Sequence, residues 1–86
     1  MISEDQTLEL EAADAVIESW EGICQAQVQA AREAGESEAQ VGVRQQRLYA
    51  AARERKALAR MPIEDIRETK DRYGSMIRKY REASHG

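Results

Sequence analysis

Apolar side chains recur every three or four residues along most of this chain, the spacing that places them on one face of an α-helix. The β-branched and aromatic residues are too few to form several strands, and phenylalanine is absent. Alanine, glutamate, arginine and glutamine are the commonest residues, a composition typical of long helices. The sequence therefore predicts an all-α fold.

Capping signals divide the chain into three helices. Ser3 with Gln6, and Ser37 with Gln40, have the serine-to-glutamine spacing of a capping box, which begins a helix. Gly35 is suited to end the first helix, and the short turn after it predicts an antiparallel hairpin. Pro62 disfavours helix at Met61 and suits the start of a third helix, packed on the hairpin or on another subunit. We expect one domain, residues 1–86, with helices at 3–34, 37–60 and 62–81 and frayed residues from Arg81 onward.

The helical spacing also predicts which side chains pack inside. The set consists of the larger apolar residues on the inner faces: Ile17, Trp20, Cys24, Leu48, Ile66, Tyr73, Ile77 and Tyr80. The single cysteine is expected to be a packed thiol. Trp20-Glu21-Gly22 is similar to the turn motif of small secreted WxG proteins, but here the predicted turn comes later, at Gly35. We therefore interpret Trp20 as a core residue.

Large apolar side chains are few for a domain of this length, so a partner or self-association would bury more surface. The sequence thus favours a protein partner or a homo-oligomer.

Charge is distributed unevenly along the chain. Residues 1–36 carry a net charge of −8, residues 37–61 carry +4, and the last 25 carry +1. One interpretation is that an acidic first helix packs against a basic second helix. Another is that the basic run forms an exposed interaction face, whose candidate residues are Arg53, Arg55, Lys56 and Arg60.

The overall charge of −3 argues against direct nucleic-acid binding, because the long-range field would oppose a phosphate backbone. An acidic first helix that mimics DNA to block an enzyme is a further alternative.

No residues form a recognisable catalytic or ligand-binding pattern. The only histidine, His85, is one residue from the end, and no glycine-rich loop follows a strand. We expect no enzyme activity, no cofactor and no metal. The chain also lacks an N-terminal basic-then-apolar segment and any run of about 18 apolar residues. A location in the host cytoplasm or in a virion is expected.

The segment from Ala57 to Tyr80 resembles the C-terminal part of small tailed-phage head–tail joining proteins. Pro62-Ile63-Glu64-Asp65-Ile66, Tyr73 and Arg78-Lys79-Tyr80 are the similar residues, and the first helix with Trp20 is similar in placement. The resemblance implies a non-enzymatic adaptor subunit that forms a ring on a portal. That family usually has a β-hairpin between its helices, whereas residues 37–60 here predict helix.

Together these features predict a non-enzymatic protein–protein interaction protein, such as an assembly component of viral origin. The alternative is a small helical inhibitor or antitoxin-like regulator that binds one host enzyme.

Overall fold

The structure is a computed structural model that describes residues 4–85. These residues form three α-helices that pack against one another, with no strand among them. The predicted all-α fold with a helical hairpin and a third helix is confirmed. Ser3, the predicted cap of the first helix, lies outside the described residues.

Helix α1 spans Glu4–Glu33 and ends at the predicted glycine. Gly35 has a φ of 74°, a left-handed conformation that a residue with a side chain rarely adopts. The amide of Gly35 donates to Arg32 O at 3.1 Å, and the amide of Glu36 donates to Ala31 O at 3.0 Å. This pair of bonds is a Schellman motif, which reverses the chain directly into the second helix.

Helix α2 spans Glu38–Ala57 and begins with the predicted capping box. The amide of Gln40 donates to Ser37 Oγ, and the amide of Ser37 donates to Gln40 Oε1, both at 3.2 Å. These bonds satisfy two backbone donors that a helix start would otherwise leave unpaired.

The end of the second helix differs from the prediction. Residues Leu58–Arg60 form a tighter 3₁₀ turn instead of continuing the α-helix. Met61 is extended, with φ −87° and ψ 144°, because the ring of Pro62 excludes helical geometry from the residue before it. The last turn tightens at this boundary.

Helix α3 spans Ile63–His85. The carbonyl of Pro62 accepts hydrogen bonds from the amides of Asp65 and Ile66, so Pro62 leads directly into the helix. The expected fraying from Arg81 onward was wrong, because the helix continues to His85. Residues 81–85 contain neither glycine nor proline that would end the helix. Within this last turn, Ser84 Oγ donates to Tyr80 O at 2.9 Å.

The main core forms where all three helices meet. Its buried members come from α1, α2, the 3₁₀ turn and α3: Ala13, Ile17, Ala51, Leu58, Ile66 and Tyr73. A smaller cluster of Val28, Ala31 and Val41 closes the hairpin near its turn. Small alanine side chains in both clusters allow close helix packing.

Helix α1 lies between the other two helices in a flattened molecule that measures 50 × 27 × 14 Å. Glu9 meets Lys70, and Trp20 lines one hollow with Met76, so α1 and α3 run in the same direction. Helix α3 therefore folds back on its own hairpin.

Burial follows most of the predicted packing residues. Ile17, Cys24, Ile66, Tyr73 and Ile77 are buried, while Trp20 and Leu48 are half-buried. Trp20 packs against the main core. Leu48 lines an open recess between α1 and α2.

Tyr80 is the exception among the predicted packing residues, because it is 36% exposed. It lies one heptad beyond Tyr73, past the level where Glu54 of α2 reaches α3. Val43, which lies in the part of α2 before Glu54, is also exposed. Tyr80 has the helical spacing of a core residue but lies beyond the end of the core.

Candidate interaction surfaces

Arg55 connects the basic second helix to the acidic first one. Its Nε donates to Asp14 Oδ1 at 2.6 Å and its Nη2 donates to Asp14 Oδ2 at 3.2 Å, a bidentate pair. The same guanidinium reaches Glu21 at 3.3 Å and Glu18 at 3.4 Å. The hydrogen bond to Asp14 is the main cause that raises the pKa of Arg55. Arg55 is therefore occupied within the molecule.

Helix α1 is also paired with α3 at its beginning. Lys70 Nζ lies 2.7 Å from Glu9 Oε2, and Arg67 Nε lies 3.5 Å from Glu9 Oε1. At the hairpin turn, Arg44 pairs with Glu36 at 3.2 Å. The interpretation that the acidic first helix packs against basic partners is thus supported, and those partners come from both neighbouring helices.

Glu54 joins α2 to α3 across the core. Tyr73 Oη donates to Glu54 Oε1 at 2.8 Å, and Arg72 donates to both carboxylate oxygens of Glu54. The hydrogen bonds from Arg72 are the main cause that lowers the pKa of Glu54, whereas burial raises the pKa of Tyr73. The hydrogen bond between the buried Tyr73 phenol and the Glu54 carboxylate fixes how far α2 and α3 are shifted along their axes relative to each other.

Acid is expected to weaken the fold through Glu9 and Glu54. Hydrogen bonds from Lys70 and Arg72 lower the pKa of these two carboxyl groups in the folded chain. A lowered folded pKa gives stability that is fully present above the unfolded pKa and is lost as pH falls through the folded value. The melting temperature, followed by circular dichroism, should therefore drop as pH falls below about 4.3, the ordinary glutamate value. A Glu9→Gln, Glu54→Gln variant should lose less stability in acid than the matched exposed variant Glu11→Gln; equal losses would contradict the assignment.

The remaining candidate residues lie on the outer side of α2 and of the 3₁₀ turn that follows it, which contains Arg60. Arg53, Lys56 and Arg60 are exposed, and none of them forms an ion pair within residues 4–85. At about 100° per residue, Arg53 and Lys56 point away from buried Ala51, which packs on α1. Arg55 instead points toward α1, where it pairs with carboxylates. The predicted interaction face therefore divides into one residue that is bound within the molecule and three that face solvent.

Tyr49 lies at the margin of this outer face, one turn before Arg53, and also lines the recess between α1 and α2. It lies four residues before Arg53 and is 49% exposed. We refer to Tyr49, Arg53, Lys56 and Arg60 together as the basic edge. Tyr49 was not among the interaction residues predicted from the sequence, because the alanines at positions 50–52 leave the inner face of α2 undefined.

An apolar hollow of about 360 Å³ opens where α2 and α3 separate above α1. Trp20, Arg47, Ala50, Tyr73 and Met76 line it. Trp20 thus has one side in the core and the other on this hollow.

The described residues contain no group of histidine, cysteine and acidic side chains that could hold a metal ion. Cys24 is fully buried, and desolvation raises the pKa of its thiol, which reduces its reactivity at neutral pH. Within residues 4–85, no helix has the length and apolar character needed to cross a bilayer.

Comparisons of this chain with protein-family models, with curated proteins and with solved structures found no match.

Proposed function

We propose that this chain is a non-enzymatic protein–protein interaction protein, a structural or assembly subunit that works as a homo-oligomer. The observation that carries the proposal is the basic edge. Three exposed cations and a half-exposed tyrosine lie on α2 and on the 3₁₀ turn that ends it, while the neighbouring Arg55 is engaged with α1. Arginine and tyrosine are enriched where proteins bind one another.

The small core supports the same proposal. Its largest fully buried side chains are Ile17, Leu58, Ile66 and Cys24. A domain of this size buries a modest fraction of its surface, so contact with another subunit would add stability. The apolar hollow beside Trp20 is one surface that such a contact would cover.

A finer proposal is that the chain is a phage head–tail adaptor subunit, in host cytoplasm or virion. It rests on the resemblance of the segment that begins α3. The middle of the chain departs from that family, because Glu38–Ala57 is helical and no strand occurs among the described residues. Assembly by this chain would therefore use helix surfaces.

Mass in solution tests the proposal directly. Light scattering behind size exclusion should give a discrete multiple of the 9.7 kDa chain. The average mass at a given protein concentration should fall at high salt, because salt screens contacts between exposed charges. A 9.7 kDa monomer at every concentration and salt would overturn self-assembly and favour the inhibitor alternative, for which a pull-down from host lysate is the next experiment.

A further inference from the structure

An acidic stripe lies on the outer face of α3. Glu64, Glu68 and Asp71 are exposed and spaced by four and three residues, so they share one helix face. That face points away from the core, because it is rotated by about half a turn from buried Tyr73. None of the three forms an ion pair within residues 4–85. The negative charge of Glu68 is one of the smaller causes that raise the pKa of Arg72. We refer to these three residues as the acidic edge.

The two charged edges lie at the same height on the molecule. Leu58 and Ile66 share the main core, and Glu54 contacts Arg72 and Tyr73. Residues 53–60 of the second helix and its final turn therefore run beside residues 64–71 of α3, in the opposite direction. The cations at positions 53–60 and the acids at positions 64–71 each extend over seven helical steps, or about 10 Å.

The spacings of the two edges are mirror images. The basic edge has gaps of four, three and four residues from position 49 to position 60. Read in the opposite direction, positions 75, 71, 68 and 64 of α3 have the same gaps. An antiparallel contact would thus place Arg60 opposite Glu64, Lys56 opposite Glu68 and Arg53 opposite Asp71. Tyr49 would then face Ser75, whose small side chain leaves room for the ring.

One chain cannot make this contact with itself, because its two edges lie on different helices and both point away from the shared core. A second copy placed alongside can make it with a slip of about three residues, or about 4.5 Å, relative to the pairing of Glu54 with Tyr73. A two-fold dimer through one edge would instead bring like charges together.

We infer that the basic edge of one copy docks on the acidic edge of the next copy, in a head-to-tail contact. This inference rests on the proposed function and identifies the surface that self-assembly uses. A contact between two different surfaces leaves both outer edges of a pair unfilled. It therefore continues until a ring closes or a filament grows.

Charge reversal on each edge tests the contact. One variant carries Arg53→Glu with Lys56→Glu, and a second carries Glu68→Lys with Asp71→Lys. Each variant alone should associate about a hundredfold more weakly than the original chain, because like charges then face one another. A one-to-one mixture of the two variants should reassemble, since the acidic α2 face of one then meets the basic α3 face of the other. A chain with all four substitutions should assemble alone.

A control matched to the acidic-edge variant carries Glu11→Lys with Glu33→Lys, which adds the same positive charge at exposed positions of α1. This control should keep the mass of the original chain, and circular dichroism should confirm that every variant is helical.

The outcomes separate this inference from the proposed function. If the original chain forms an oligomer that neither reversal disturbs, self-assembly stands and the edge contact is wrong. If both reversals dissociate the oligomer but the mixture does not reassemble, the pairing of the two edges is also wrong. If the original chain is a monomer under all conditions, the proposed self-assembly fails and the inference fails with it.

Discussion

Replacing Ile17 with alanine is expected to destabilise the fold by about 2–5 kcal/mol, the usual cost of truncating a buried isoleucine. Ile17 is fully buried in the main core, where α1 meets both other helices. Small domains have a total stability of about 5–15 kcal/mol, so this loss is a large fraction of it. Urea unfolding followed by circular dichroism should show a lower midpoint with an unchanged slope.

Leu8→Ala is the matched control, because Leu8 is a large apolar residue of the same helix that is 58% exposed. The control should change stability by less than about 0.5 kcal/mol. Equal losses for the two variants would mean that Ile17 is not in the core, and would contradict the three-helix packing described here.

Charge reversal at Arg55 and at Arg53 is expected to have opposite effects on stability and on self-association, although only Glu54 separates the two residues. Arg55→Glu would place a fourth carboxylate beside Asp14, Glu18 and Glu21, which now surround a single guanidinium. The melting temperature should fall markedly, and added salt should recover part of the loss by screening the repulsion. Arg53→Glu should leave the melting temperature nearly unchanged, because Arg53 is exposed and forms no ion pair within residues 4–85.

Self-association should show the reverse pattern. Arg53→Glu is expected to weaken the oligomer, since Arg53 belongs to the basic edge, while a folded fraction of Arg55→Glu should still associate. Melting temperatures should be compared at dilutions where they no longer depend on protein concentration, because oligomers shift apparent stability by mass action. Equal melting temperatures for both variants would show that Arg55 does not join α1 to α2.

The boundaries at Gly35, Ser37 and Pro62 could be predicted from the sequence because the chemistry that sets them is local. The Ser37 capping box, the left-handed Gly35 and the extended residue before Pro62 each depend on a few neighbouring residues. The buried face of α1 was equally predictable, since its apolar residues form one continuous stripe.

The inner face of α2 was harder to predict, because alanines at positions 50–52 give that helix no strong apolar side. Without that orientation, Arg53 and Arg55 could not be assigned to different faces, and Tyr49 could not be recognised as part of the basic edge. Tyr80 was assigned to the core because helical spacing gives a residue's face but not its position along the bundle.

The sequence alone therefore determined the number of helices, the caps at Gly35 and Ser37 and the buried stripe of α1, since these follow from interactions within a few turns of one helix. The tertiary structure decided the rest. It aligned α3 with α1, enclosed Arg55 among three carboxylates and left two oppositely charged edges facing outward at the same height. Those features depend on how the helices rotate and slide against one another, which side-chain packing in the shared core controls.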